Sequence, residues 1–212
     1  MDQRRRTLTA LLALAPLAAR AQPQAPLAGE DYTEVRPAQP VEVPGKIEVV
    51  EFFWYGCPHC YSLEPLLEKW IARLPADVNF RRVPAVLNEG WAKEAADFYS
   101  FEALGVLARL HRPFFDAIHR DHVDTRDPKV LDEWLSKHDV DAKRFEEAYK
   151  SFGVQTKVRR AMQVTASYRI DGTPALAVAG LYTVSAQQGR TQDRLLGIVD
   201  YLVEVVRKGG KF

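Results

Sequence analysis

The chain has two cysteines, and they stand together in "EFFWYGCPHCYSLEPLL", residues 51–67, separated only by Pro58 and His59. A Cys-x-x-Cys pair can be a cross-link, half of a tetrahedral metal site, or a redox reagent. A cross-link closing so short a loop removes little unfolded-chain entropy, roughly 2 kcal/mol against about 3 for a fifteen-residue loop. Zinc needs two more ligands. The candidates are His59, His111, His119, His122 and His138; His119 and His122 share a face but sit beside Arg120 and Asp121, and read as solvated. Haem attachment needs a histidine after the second cysteine, where this chain has Tyr61. Neither a metal nor an organic cofactor is expected.

The redox reading fits each neighbouring residue. A helix opening at Cys57 would turn unpaired N–H groups and its positive dipole end toward the sulfur, favouring the thiolate. Pro58 suits the first helical position, where no N–H is needed. His59 adds a cationic neighbour, and Cys60, one turn further, would be the shielded partner. A stabilised Cys57 thiolate stabilises the dithiol, so the disulfide becomes the stronger oxidant. A substrate thiolate would then attack Cys57 and form a mixed disulfide that the substrate's second thiol resolves.

Two further features bear on the pair. Glu51 lies in the apolar run "VVEFFW", six residues before Cys57. A carboxylate buried there is costly unless paired or protonated. It reads as an acid beneath the cysteines that moves protons to or from Cys60, the alternative being an exposed sheet edge. In "DGTPALAV", Thr173-Pro174 enters a strand, the kind of place where cis X-Pro bonds concentrate.

Several elements must position these residues. Residues 46–56, β-branched and aromatic between Pro44-Gly45 and Gly56, read as a strand buried on both faces. Leu63, Leu66, Leu67, Trp70, Ile71 and Leu74 follow at helical spacing up to Pro75, with Pro65 inside. Residues 77–86 read as a second strand, so the cysteines occupy a strand-to-helix turn. Residues 89–169 read as almost wholly helical, with Asp127 and Pro128 opening one segment. A hairpin around Gly180 and an amphipathic helix from 191 to 208 close the chain. The expected organisation is an α/β domain of residues 22–86 and 170–212 with a loose N-terminus, interrupted by an all-helical insert at 87–169.

The first 21 residues combine Arg4, Arg5 and Arg6, an apolar run over 8–19 and a small-residue Ala19-Arg20-Ala21 site. That is the order of a secretory signal peptide, and the run is too short to span a bilayer. "RRRTL" leaves a twin-arginine route open. The full chain has a formal net charge of +1; without that segment, which carries four arginines and Asp2, the balance is −2. No basic stripe remains, so nucleic-acid binding is not expected. Export places the pair where disulfides persist.

Together, "EFFWYGCPHCYSLEPLLEKW", the helical insert and Thr173-Pro174 resemble the DsbA family of periplasmic thiol:disulfide oxidoreductases, a thioredoxin-like fold (a central mixed sheet flanked by helices) with an inserted helical domain. The resemblance implies that Cys57 is the exposed nucleophile and Cys60 its buried partner, tuned by Pro58 and His59. It matches Glu51 to the family's buried acid and Glu64 to a second acid, and places Arg82 where the family carries a lysine. Pro174 becomes a cis-proline facing Cys57, and Thr173 offers its backbone to an extended substrate. The implied partners are reduced exported polypeptides and a quinone-linked membrane oxidase of the DsbB type, the protein itself being a monomer in the periplasm. The residues also admit a reductase or isomerase of the same fold, or a metal-binding or structural module.

Overall fold

The computed structural model describes residues 25–209; the expected signal segment lies outside them. The sheet has the order β1-β5-β4-β2-β3, formed by β1 Thr33–Glu34, β2 Ile47–Phe53, β3 Val78–Pro84, β4 Ala175–Val178 and β5 Tyr182–Ser185. β2 is a central strand, parallel to β3 and antiparallel to β4, which is why its apolar residues fall on both faces. All seven of its residues are buried. It stops at Phe53, three residues short of the expected end, because the Cys57 N–H turns back onto the Trp54 carbonyl at 3.0 Å.

Side chains alternate across the sheet. Ile47 and Val49 pack with Leu63, Leu67 and Trp70 of α1 (Pro58–Ile71) and with α8 (Gln192–Gly209). Val50 and Phe52 face the opposite layer, with Ala95 and Ala96 of α2 (Glu89–Ala103) and Val154 and Val158 of α6 (Phe152–Ser167). Between β3 and β4 the chain runs through α2, α3 (Leu107–His119), α4 (Pro128–Lys137), α5 (Ala142–Lys150) and α6. A third core joins Phe98, Phe101, Phe114, Phe115 and Trp134 from these helices to Phe53, Tyr55, Cys57 and Cys60. The cysteines therefore sit where the sheet meets the helical block.

Two expectations need correction. The N-terminal stretch is not loose from residue 25 on: β1 adds an edge strand to β5, and buried Asp31 accepts from Arg194 at 2.6 Å and from the Leu27 N–H at 3.0 Å. A sequence of Pro, Ala and Gln predicts no such anchoring, since its partners lie some 150 residues away. Helix α1 also ends at Ile71 instead of continuing to Leu74, whose N–H makes a tight turn onto the Ile71 carbonyl.

Candidate active site

Cys57 is the N-cap of α1 in extended conformation, and Pro58 occupies the first turn. The cap acceptor is a sulfur: Sγ of Cys57 receives the Cys60 N–H at 3.4 Å. Both cysteines are free thiols. The Cys57 thiol is lowered to about 5, first by a hydrogen bond from the Cys60 side chain, against burial, then by Thr173 and by the main-chain N–H groups of Cys60 and His59. In the thiol form, Cys57 also donates to the Thr173 carbonyl at 3.3 Å. Burial pushes Cys60 the other way, well above the ordinary thiol range, helped by its bond to Cys57 and by the charges of Cys57 and Glu51. Neighbouring thiols three residues apart are thus made unequal, one a thiolate at neutral pH and one a thiol.

The exposure expected of Cys57 is only partly present: it keeps 5% of its surface and Cys60 none. His59 is exposed on the rim, and its main-chain N–H, rather than a ring charge, figures among the leading causes at Cys57. The Thr173–Pro174 bond is cis, and the Thr173 carbonyl it presents is the one that Cys57 contacts.

Below the pair lies a buried charge cluster. Strand register puts Glu51 directly beside Arg82 across the parallel β2–β3 pair, and helix α1 supplies Glu64. Glu51 and Glu64 have no exposed surface, which excludes the exposed-edge reading of Glu51. Arg82 donates its Nε–H to Glu51 at 3.0 Å and Nη2–H to both oxygens of Glu64 at 3.0 and 3.3 Å. One guanidinium faces two carboxyls, so they cannot both ionise cheaply. Burial first, then the Glu64 charge, pushes Glu51 up to about 8 against the pull of Arg82. Glu64 is held below its ordinary range: burial raises it, but His111 and Arg82 together outweigh that.

Three side chains around the site escape a reading of the sequence. His111 of α3 touches both Glu64, at 3.3 Å, and the Tyr55 hydroxyl, at 2.9 Å. Glu94 of α2 accepts the Gly56 N–H at 3.0 Å while paired with Arg126 at 3.2 Å, tying the helical block to the loop before Cys57. His119, read above as solvated, is part-buried: it bonds to the Tyr55 carbonyl at 2.7 Å and stacks on Tyr61 at 4.9 Å. For His111 the only signal was its place on the apolar stripe with Leu110, Phe114 and Phe115; for Glu94 and His119 there was none. Among the described residues no group of three or more His, Cys, Asp or Glu is placed to hold a metal ion.

Comparison with known proteins places this geometry. The sequence model of the DSBA-like thioredoxin domain matches residues 92–197. The thiol:disulfide interchange protein DsbA of Azotobacter vinelandii is 40% identical over 199 residues, 94% of this chain and 93% of its own. Its namesake in Pseudomonas aeruginosa is 38% identical over 205 residues, 96% of this chain and 97% of its own. The crystal structure of Pseudomonas aeruginosa DsbA superposes with a TM-score of 0.83 at 36% identity, covering 88% of this chain and 97% of that one. With a thioredoxin-like sheet, an unequal Cys-x-x-Cys pair and relatives aligned along nearly all of its length, this chain belongs to the DsbA family of thiol:disulfide oxidoreductases.

Proposed function

We propose that the Cys57–Cys60 pair is a dithiol oxidase for newly exported proteins in the periplasm. The observation that carries this reading is the state of Cys57, a sulfur capping α1 with a pKa of about 5. A thiolate that stable is a good leaving group and favours the dithiol over the disulfide. In the forward reaction a substrate thiolate attacks Sγ of Cys57, the Cys57–Cys60 bond breaks, and Cys60 leaves as a thiolate. Because the Cys60 thiolate is disfavoured by burial, it takes a proton, for which protonated Glu51 is the source. The substrate's second thiolate then attacks the substrate sulfur of the mixed disulfide and expels the Cys57 thiolate. Two substrate thiols are oxidised and one protein disulfide is reduced. Thr173 and Pro174 line the place of substrate attachment, with the Thr173 backbone available to an extended chain. Pro58 and His59 tune Cys57, and Arg82 with Glu64 sets the charge around Glu51. A quinone-linked membrane oxidase of the DsbB type returns the pair to the disulfide, and the pair needs no other cofactor.

Equilibration of the purified protein with glutathione tests the direction. The expected potential lies well above the thioredoxin value of about −270 mV, with rapid oxidation of a reduced model protein that Cys57→Ser abolishes. A potential at the thioredoxin level would make the pair a reductase.

A further inference from the structure

The buried cluster contains an asymmetry that its two carboxyls alone do not explain. Glu64 receives three hydrogen bonds, two from Arg82 and one at Oε1 from the His111 ring. Glu51 receives one, at Oε2, and its Oε1 is buried with no hydrogen-bond partner among the described residues. A carboxylate oxygen stripped of water and of donors is expensive, whereas a carboxylate accepting several bonds is the stable charged form.

The His111 ring decides which acid is which. It is buried, with the rings of Phe53, Phe98 and Phe115 edge-on at 5.2 to 5.9 Å. Nδ1 lies 2.9 Å from the Tyr55 hydroxyl and Nε2 3.3 Å from Glu64 Oε1. Both Glu64 oxygens already accept from Arg82, as an ionised carboxylate does, so Nε2 must carry the hydrogen and Nδ1 must accept from Tyr55. The charged and titratable groups around the ring are Glu64 and Glu68 from α1, Arg82 from β3 and Tyr55 from the loop, with Glu51 on β2 across Arg82. Burial keeps the imidazole neutral, and Tyr55 stays a neutral hydroxyl for the same reason.

We propose that His111 is a positioning residue of the redox site: by donating Nε2–H to Glu64 it keeps Glu64 ionised and leaves the cluster's shared proton on Glu51. One guanidinium then balances one carboxylate, and the proton rests on the acid that shares the electrostatic field of Cys57 and Cys60. The consequence for turnover rests on the function proposed above: a Glu51 proton is available to the departing Cys60 thiolate, where a Glu64 proton would be locked against Arg82. Tyr55, two residues before Cys57, fixes the ring's tautomer, so the active-site loop and the buried acid are joined through one imidazole.

The test reads proton positions directly, in the oxidised protein where no thiol titrates. Carbon-13 carboxyl-labelled glutamate and nitrogen-15-labelled histidine are followed by NMR from pH 4 to 9. In the unsubstituted protein His111 should show a protonated Nε2 and a bare Nδ1, with Glu51 titrating far above Glu64. His111→Leu should lower the Glu51 midpoint by about one pH unit, a roughly tenfold change in its ratio of protonated to ionised form, and raise that of Glu64. His111→Gln, which returns an N–H near the Nε2 position, should restore the unsubstituted values. A hydrogen on Nδ1, a Glu64 midpoint above that of Glu51, or no shift in His111→Leu would each overturn the assignment. The tautomer measurement needs no substitution, so a variant that fails to fold leaves the assignment open to refutation. Because none of these readouts depends on the direction of electron flow, the glutathione equilibrium decides that question separately.

Discussion

Removing the Cys60 side chain should take away the foremost reason for the low pKa of Cys57. With a value of about 5, Cys57 is roughly 99% thiolate at pH 7, against a few per cent for an ordinary thiol near 8.5. A hydrogen bond to a charged group contributes about 1.5–3 kcal/mol, which is about one to two pH units. Cys60→Ala should therefore raise Cys57 to about 6–7, and Cys60→Ser, which keeps a donor, should hold it near the starting value. The assay is alkylation of Cys57 by iodoacetamide across pH 3 to 10, with thiolate absorbance as a second reading. At pH 5 the alanine variant should react roughly 5- to 50-fold more slowly. If its midpoint stayed near 5, the main-chain N–H groups alone would be holding the thiolate; if serine behaved like alanine, the hydrogen-bond account would fail. The same shift sets a stability difference. Because the folded value lies below the unfolded one, the thiolate stabilises the reduced fold above pH 5 and loses that effect as pH falls through it. Between pH 5 and 7 the reduced protein should gain about 2–3 kcal/mol relative to the oxidised one.

Other substitutions probe the surroundings. Arg82→Met leaves two buried carboxyls without their cation, and denaturant titration at pH 7 should show a loss of about 3–5 kcal/mol. Glu51 has a folded pKa raised to about 8, so its unfolded state releases a proton sooner and the fold is penalised progressively between about pH 4.5 and 8. Glu51→Gln should therefore be more stable than the unsubstituted protein by a margin that widens over that window; a constant margin in urea melts from pH 5 to 8 would contradict the raised value. Gly180 turns the β4–β5 hairpin at φ +69°, and a Cβ there would stand 2.0 Å from the Gln39 carbonyl oxygen. Gly180→Ala should lower the melting temperature by several degrees, about 1–3 kcal/mol, without moving the Cys57 midpoint.

Much of the site was legible because its signals are local. The turn between a β-branched run and a leucine stripe marks where β2 ends and α1 begins, and Pro58 inside Cys57-x-x-Cys60 fixes which cysteine caps the helix. An acid flanked by Val49, Val50, Phe52 and Phe53 reads as buried unless its strand is an exposed edge, and Glu51 is buried. His119 was misread for the opposite reason: its neighbours Arg120 and Asp121 are polar, but one side of the helix end faces Tyr55 and Tyr61. Residue types flanking a helix terminus do not say which azimuth points inward. The N-terminal stretch was misread likewise, because pairing with β5 and the Asp31–Arg194 bond are agreements with the far end of the chain.

By itself, then, the sequence determined the kind of chemistry. Two sulfurs three residues apart at a helix start can only be one turn apart, with the first facing free N–H groups, and that follows from helix geometry within a dozen residues. The proton and charge inventory beneath them comes instead from contacts between distant parts of the folded chain. Glu51 meets Arg82 through strand register, Glu64 meets His111 across 47 residues, and Gly56 is held by Glu94 from the helical block. Buried charges respond to whatever lies within a few ångströms in a medium that screens poorly. Which acid keeps its proton is therefore a property of distances in the folded molecule, and no spacing along the chain encodes it.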